Sequence, residues 1–369
     1  MMAKNAKIGI IGYGIIGKRV ADAVAAQPDM KLVGIADIIS DVRLRIAQKR
    51  NYPIYCSVPD FEPKMKDAGF EVVGYLDDLL QEVDLVVDCT PSGVPAKNLP
   101  VYNKAKVKCI VQGGEKHSLT GRSFSTFGNY KSHLGINLTR LVSCNTTALT
   151  RIVSTLAQAY GVSDSFVALA RRAGDPSRTN RGPINAITPV LGVSHHGPDL
   201  ITVMPKMNDR IHSLAIAGSW TLSHVHMLKV TLEKEASREN LINLFKKTPR
   251  ILIEEGKNGL FDSAQLVEYF RDLGRPRYDR PEVFIWEETL TIDSHNNVYM
   301  IYDVHMESIP IPENVDCIRA MLKMETNAMK CVETTDKALN IYKEGSYSGT
   351  LYGGEDYGDP VPIIEEGDN

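Results

Sequence analysis

A chain of 369 residues is long enough for two domains, and its 43% apolar and 24% charged content is that of an ordinary soluble globular protein. The net charge of −3, from 42 basic and 45 acidic residues, gives no field that would draw the chain to nucleic acid or a membrane surface. No apolar run is long enough to span a bilayer, and the first residues, Met1 to Lys7, lead into a strand-like run with no signal peptide.

From Lys7 the sequence reads as an apolar strand, a G-x-G-x-x-G turn (Gly12, Gly14, Gly17) and a helix with Val20, Ala21, Val24 and Ala25 on its inner face. In such a turn the three glycines allow a tight bend, backbone approach to a pyrophosphate, and close packing of helix on strand. The helix N-terminus then faces the phosphates. A second strand, Lys31 to Asp37, ends in a carboxylate at the distance where one meets the ribose hydroxyls. A carboxylate there repels a 2′-phosphate, which predicts NAD over NADP; Arg43 and Arg45 lie nearby and could blunt that preference.

Leu85 to Asp88 and Val107 to Val111 read as further buried strands. Their carboxyl-end loops are Cys89-Thr-Pro-Ser-Gly93 and Gln112-Gly-Gly114-Glu-Lys-His117. Leu138 to Ser143 is another strand, and a helix is predicted from Thr146, with Leu149, Ile152, Val153, Leu156 and Tyr160 at helical spacing and Gly161 as the stop. The alternation of strand and helix predicts an α/β fold, a Rossmann-type doubly wound parallel sheet. The strand-like runs Asp164–Arg172, Ile211–Ala217, His226–Leu232, Val283–Leu290 and Asn297–Glu307 then suit a mainly antiparallel sheet, with helices at Arg238–Lys247 and Ser263–Leu273. The expected organisation is a dinucleotide-binding domain over 1–143, an α+β catalytic domain over 144–309, a helical segment over 310–344 packing back on the first domain, and an acidic tail over 345–369. The last helix is expected over Val315 to Tyr342, after a loop carrying Pro310 and Pro312.

Six cysteines are scattered, without a C-x-x-C pair, as suits a reducing cytoplasm. Cys144 stands out because it falls where a strand turns into a helix. The partial positive charge of a helix N-terminus favours thiolate over thiol, which makes it a candidate nucleophile; a buried small apolar residue is the other reading. A thiol nucleophile needs a base. Candidates are His195 and His196 in a polar turn, and His224 and His226 on one side of a strand. No cysteine or carboxylate cluster of ligand spacing accompanies the histidine pair, so no metal site is assigned. Arg171-Arg172 is either a solvated surface pair or a phosphate hook.

These strings together resemble the archaeal-type (type II) phosphorylating glyceraldehyde-3-phosphate dehydrogenases, from about Lys7 to Tyr342. The motifs are Gly12-Tyr-Gly-Ile-Ile-Gly-Lys-Arg-Val-Ala-Asp-Ala23, Asp88-Cys-Thr-Pro91, Gln112-Gly-Gly-Glu-Lys-His117, Val142-Ser-Cys-Asn-Thr-Thr147, Gly182-Pro-Ile-Asn-Ala-Ile187, Ser194-His-His-Gly-Pro-Asp199 and Pro312-Glu-Asn-Val-Asp316. The resemblance implies Cys144 as nucleophile and His224 as the catalytic histidine. It implies Ser143, Asn145, Arg171, His195 and His196 at the substrate, and Ile15, Ile16, Gly114 and Arg172 at the cofactor. It further implies a cytoplasmic homotetramer of central carbon metabolism acting on a phosphorylated aldehyde and inorganic phosphate with NAD or NADP. Two positions depart from many members: Asp37 replaces a lysine that suits NADP, and Met306 replaces a glutamine associated with the nicotinamide end. A semialdehyde or acyl-phosphate reductase, and a non-enzymatic NAD-binding regulator, are the alternative functions.

Overall fold

The computed structural model describes residues 5–112, 114–172, 187–347 and 351. The loops Ala173–Pro176 and Arg181–Ala186 and almost all of the acidic tail lie outside the described residues. The fold divides into two compact units. The first comprises residues 1–126, 130–141 and 311–342, and the second residues 127–129, 142–310 and 343–369.

The first unit holds eight strands: β1 (Ala6–Ile11), β2 (Met30–Asp37), β3 (Ile54–Cys56), β4 (Gly74–Tyr75), β5 (Leu85–Asp88), β6 (Lys108–Val111), β7 (Ser123–Phe124) and β8 (Leu138–Leu141). They pair in the order β4-β3-β2-β1-β5-β6-β8-β7, every pair parallel. Central strands of such a sheet are covered on both faces, and Ile8, Ile10, Leu85 and Val87 are accordingly buried.

The turn after β1 shows why glycine recurs in it. Gly12 has φ +85°, a left-handed conformation that a side chain would strain. Gly17, in the first turn of the Ile15–Ala25 helix, lies so close to the Gly12 carbonyl oxygen that a Cβ would collide with it. Gly14 instead faces open space, with nothing within 4 Å of where a Cβ would stand. Asp37 fastens this turn to the end of β2. Its Oδ2 accepts from the Tyr13 backbone N–H at 2.5 Å, and its Oδ1 from those of Ile38 (2.6 Å) and Ile39 (3.1 Å). Asp88, wholly buried at the end of β5, is satisfied by the Thr90 N–H (3.0 Å), Asn98 (2.9 Å) and the Tyr102 hydroxyl (2.8 Å).

The late helical region forms two helices, Ile311–Met321 and Ala328–Ala338. The first begins four residues earlier than its apolar spacing implies, because Pro312 falls in the first turn, where a missing N–H costs nothing. The break follows from Lys323 at φ +55° and from Asn327, which caps the second helix through the Lys330 N–H at 3.0 Å. Every residue of the Ile311–Met321 helix is buried. Its polar side chains are paired inside the first unit: Glu313 with the Thr126 N–H (2.7 Å), Asn314 with Gln112 (2.9 Å), and Arg319 with Asp29 (2.6 Å).

The second unit contains β9 (Val162–Arg172), β10 (Thr188–Pro189), β11 (Ile211–Gly218), β12 (His224–Leu232), β13 (Ile251–Glu254), β14 (Val283–Trp286), β15 (Thr291–Ile292) and β16 (Asn297–Val304). The sheet order is β10-β11-β9-β12-β16-β14-β13, with β15 beside β16. Most pairs are antiparallel; β9/β11 and β13/β14 are parallel. Three strands end earlier than expected: β8 at Leu141, β14 at Trp286 where Glu287–Thr289 forms a 3-10 turn, and β16 at Val304. The Cys144–Tyr160 helix covers one face, burying Leu149, Ile152, Val153 and Leu156 with Val167, Leu169, Leu228 and Tyr302. On the opposite face, Phe166, Leu214, Met227 and Tyr299 are exposed.

Gly17→Ala drives a methyl into the Gly12 carbonyl and is expected to destabilise the first unit by about 2 kcal/mol or more, read as a fall in the denaturant midpoint. A variant as stable as the parent would show that helix and turn do not depend on this approach.

Candidate active site

Ser143 is the N-cap of the Cys144–Tyr160 helix, its hydroxyl accepting the Thr146 N–H at 3.2 Å. Cys144 is therefore the first helical residue, two earlier than the apolar spacing indicates. The Thr147 N–H bonds to the Ser143 carbonyl at 2.7 Å. Asn145, the next residue, is among those whose N–H the helical ladder leaves without an acceptor. Thr146 ties this first turn to Asp199 through its hydroxyl at 2.7 Å.

Burial pushes Cys144 up to about 12, against the opposing pull of Arg172, the Asn145 N–H and Arg171. The cations beside it and the helix N-terminus favour a thiolate, and burial opposes one.

The two arginines at the end of β9 have different surroundings, although they are adjacent in sequence. Arg172 is buried and committed. Its guanidinium pairs with Glu307 (2.9 Å), donates to the Thr221 carbonyl (2.9 Å) and touches the Met306 sulfur at 3.3 Å. It is not open to a phosphate as placed. Arg171 is half-buried, its Nε has no hydrogen-bond partner, and no carboxylate pairs with it among the described residues. It is the uncommitted cation of the pair.

β12 carries both His224 and His226 on the face covered by the helix, as alternation requires. His224 Nδ1 accepts the Arg172 backbone N–H at 3.0 Å. An acceptor at Nδ1 leaves the ring proton on Nε2. Burial, with His226 and the two arginines, holds His224 well below the usual histidine range, so the ring is neutral. As placed, it is an Nε2–H donor, not the base that its residue type suggests. No hydrogen bond joins His224 to Cys144 among the described residues; Arg171 and Arg172 act electrostatically on both.

Asn145, His196 and His226 are brought together in one buried network. His226 Nε2 is 2.9 Å from Asn145 Oδ1, and Asn145 Nδ2 is 3.1 Å from His196 Nε2. Tyr302 meets His226 Nδ1 at 2.9 Å, and Ser194 meets His196 Nδ1 at 2.6 Å. The Asn145 amide is thus occupied at both ends and, like His196, is not exposed to a ligand. His195 is exposed and stacks on His196 with ring centroids 4.0 Å apart. Sequence reasoning missed Tyr302, whose place opposite His226 depends on the β12/β16 register.

The cofactor candidates Gly12, Gly14, Ile15, Ile16, Gly17, Asp37 and Gly114 belong to the first unit; Ser143, Cys144, Asn145, Arg171, Arg172, His195, His196 and His224 belong to the second. Ile15 and Ile16 are half-buried, and Gly114 has φ +86° with open space beside it. Of the cations near Asp37, Arg43 is gripped by Asp41 (Nε 2.9 Å, Nη2 2.6 Å) and Arg45 lies over the Phe70 ring. Among the described residues no group of three metal-ligating side chains occurs. No helix among them is long and apolar enough to cross a membrane.

Three buried histidines, His196, His224 and His226, are held below their usual range, His226 at about 3, with burial the first cause in each. Between pH 6.5 and those lowered values the unfolded chain binds protons that the folded chain does not. Stability is therefore present above pH 6.5 and falls as pH drops, on the order of 1 kcal/mol per pH unit for each such histidine. Urea midpoints from pH 7.5 to 4.5 should fall steeply below 6.5, and less steeply in His226→Gln. A flat profile in the parent would contradict neutral burial.

The C-terminal domain family of glyceraldehyde 3-phosphate dehydrogenase matches residues 143–302, and the oxidoreductase family with an NAD-binding Rossmann fold matches residues 6–111. A glyceraldehyde-3-phosphate dehydrogenase of Methanothermus fervidus is 41% identical over 336 residues, covering 90% of this chain and 98% of its own. The second such enzyme of Methanosarcina barkeri is 44% identical over 345 residues (93% and 100%), and that of Thermococcus kodakarensis 44% over 338 (91% and 99%). The fold, the nicotinamide-cofactor unit and this similarity across both units place the chain in the glyceraldehyde-3-phosphate dehydrogenase family of oxidoreductases.

Proposed function

We propose that this protein catalyses the reversible oxidative phosphorylation of D-glyceraldehyde 3-phosphate to 1,3-bisphosphoglycerate through a Cys144 thioester, with NAD as the preferred cofactor. The observation that carries the reading is a cysteine at the first position of a helix, with Arg172 and Arg171 acting on its sulfur and no carboxylate paired with Arg171 among the described residues.

The glycine turn fits a dinucleotide. Space is open over Gly14, the Ile15–Ala25 helix begins there, and Asp37 stands at the end of β2. Gly12, Gly14, Ile15, Ile16 and Gly114 would hold it, and when bound it supplies the hydride acceptor. Arg172, already paired with Glu307, would act through its charge.

The Cys144 sulfur adds to the aldehyde carbon. The thiol proton passes to the forming alkoxide as the C–S bond forms, which balances the addition. The Nε2–H of His224 and the backbone N–H groups at the helix start are donors suited to an oxyanion. Oxidation of the thiohemiacetal leaves a thioester, which inorganic phosphate cleaves to an acyl phosphate, freeing the sulfur. Arg171 is the cation suited to a substrate phosphate.

Asp37 supports NAD over NADP, because a 2′-phosphate would lie against a carboxylate while Arg43 and Arg45 are engaged elsewhere. The homotetramer and cytoplasmic location belong to the same proposal; the exposed Phe166, Leu214, Met227 and Tyr299 form an apolar sheet face suited to self-association.

Glyceraldehyde 3-phosphate with NAD or NADP, with and without phosphate, tests the reading. Phosphate-dependent NADH formation is expected, and its absence would favour another aldehyde substrate or a non-catalytic role. Higher kcat/KM with NADP would overturn the cofactor assignment. Cys144→Ser should abolish turnover while binding NAD normally. His224→Asn should lower kcat by about 100-fold or more. Near-normal turnover in Cys144→Ser would remove the nucleophile assignment.

A further inference from the structure

We propose that Tyr302 and His226 are positioning residues for the thiol chemistry: through the side chain of Asn145 they fix the first helical turn, and with it the position of Cys144. The proposal rests on Cys144 being the reactive thiol.

The geometry is a single directed chain of hydrogen bonds. The Tyr302 hydroxyl donates to His226 Nδ1 (2.9 Å), which leaves the His226 proton on Nε2 to donate to Asn145 Oδ1 (2.9 Å). The Asn145 amide then donates to His196 Nε2 (3.1 Å), and His196 Nδ1–H donates to Ser194 Oγ (2.6 Å). Each bond uses the tautomer that the preceding one imposes. All five side chains are buried, so no water competes for them.

Three elements converge on the amide. Antiparallel pairing of β12 with β16 sets Tyr302 directly opposite His226, and their rings meet edge to face with centroids 4.8 Å apart. His196 opens the short helix His196–Ile201, which a Gly197 N–H to Ser213 bond (3.0 Å) fixes to β11. Asn145, second in the Cys144 helix, cannot rotate its amide without breaking bonds to both. It follows Cys144 directly in that first turn, so fixing its side chain fixes the backbone that carries the thiol. The charged groups acting on the same sulfur, Arg171 and Arg172 from β9 and Glu307 beyond β16, lie outside this chain of bonds and are untouched by changes in Tyr302.

A purely structural network would lower stability and leave the reactivity of the folded fraction unchanged. A positioning network alters that reactivity. The test compares the parent with Tyr302→Phe, His226→Phe and His226→Gln. Iodoacetamide labelling of Cys144 is followed by peptide mass mapping between pH 7 and 9, with kcat and KM measured on the same samples. Tyr302→Phe and His226→Phe should label about 10-fold more slowly and lose kcat with KM for the aldehyde unchanged. His226→Gln, which keeps one acceptor and one donor, should recover most of the labelling rate. Parental labelling and kcat in folded Tyr302→Phe would overturn the proposal. So would a His226→Gln protein that labels as slowly as His226→Phe, and that comparison stands even if Tyr302→Phe does not fold. Labelling that follows this pattern in a protein that oxidises no glyceraldehyde 3-phosphate would remove the substrate assignment and leave the positioning role in place.

Discussion

The amide of Asn145 is hydrogen-bonded at both ends, to His226 and to His196, and this holds the first turn of the helix that carries Cys144. Ser143 caps the same turn, and Thr146 anchors it to Asp199. Strands β12 and β16 and the short helix at His196 therefore act on one point. The first N–H groups of a helix lack partners within it, and fixing the turn from the side fixes their direction. Precision comes from packed elements, whereas a loop would have supplied the same donors with less certainty of direction.

Burial sets the electrostatics of this region. It raises the Cys144 thiol and holds His196, His224 and His226 below the usual histidine range. A neutral histidine with its Nδ1 occupied carries its proton at Nε2, and His224 is so placed. Arg172 is neutralised by Glu307, and the Met306 sulfur takes the place beside its guanidinium. Of two adjacent arginines, one is thus committed to a buried ion pair, while the other, Arg171, has no carboxylate partner among the described residues.

The parallel sheet of the first unit was legible in the sequence because its signals are local. The glycines at 12, 14 and 17, the apolar runs of β1 and β5 and the acid ending β2 each fall within a short window. The extra duty of Asp37, holding the glycine turn through the Tyr13 N–H, was not legible, since it depends on how β2 lies beside β1. In the second unit the Arg238–Lys247 helix runs over the residues expected of it, and Ser237 caps it through the Asn240 N–H at 3.1 Å. The four-residue strand Ile251–Glu254 was missed because so short an apolar run has no period. At the site, residue type singled out Cys144 and the histidines. Their protonation states came only from partners distant in sequence: Arg172 for His224, Tyr302 for His226, and burial for the thiol.

The central claim is that Cys144 carries the substrate as a thioester that phosphate releases. Rapid mixing of the protein with glyceraldehyde 3-phosphate and NAD in phosphate-free buffer, followed by intact-mass analysis and peptide mapping, reads it directly. The account predicts a burst of NADH stoichiometric with protomers, an acyl adduct on Cys144, and its discharge when phosphate is added. NADH formation without an adduct, or an adduct on another residue, would contradict it.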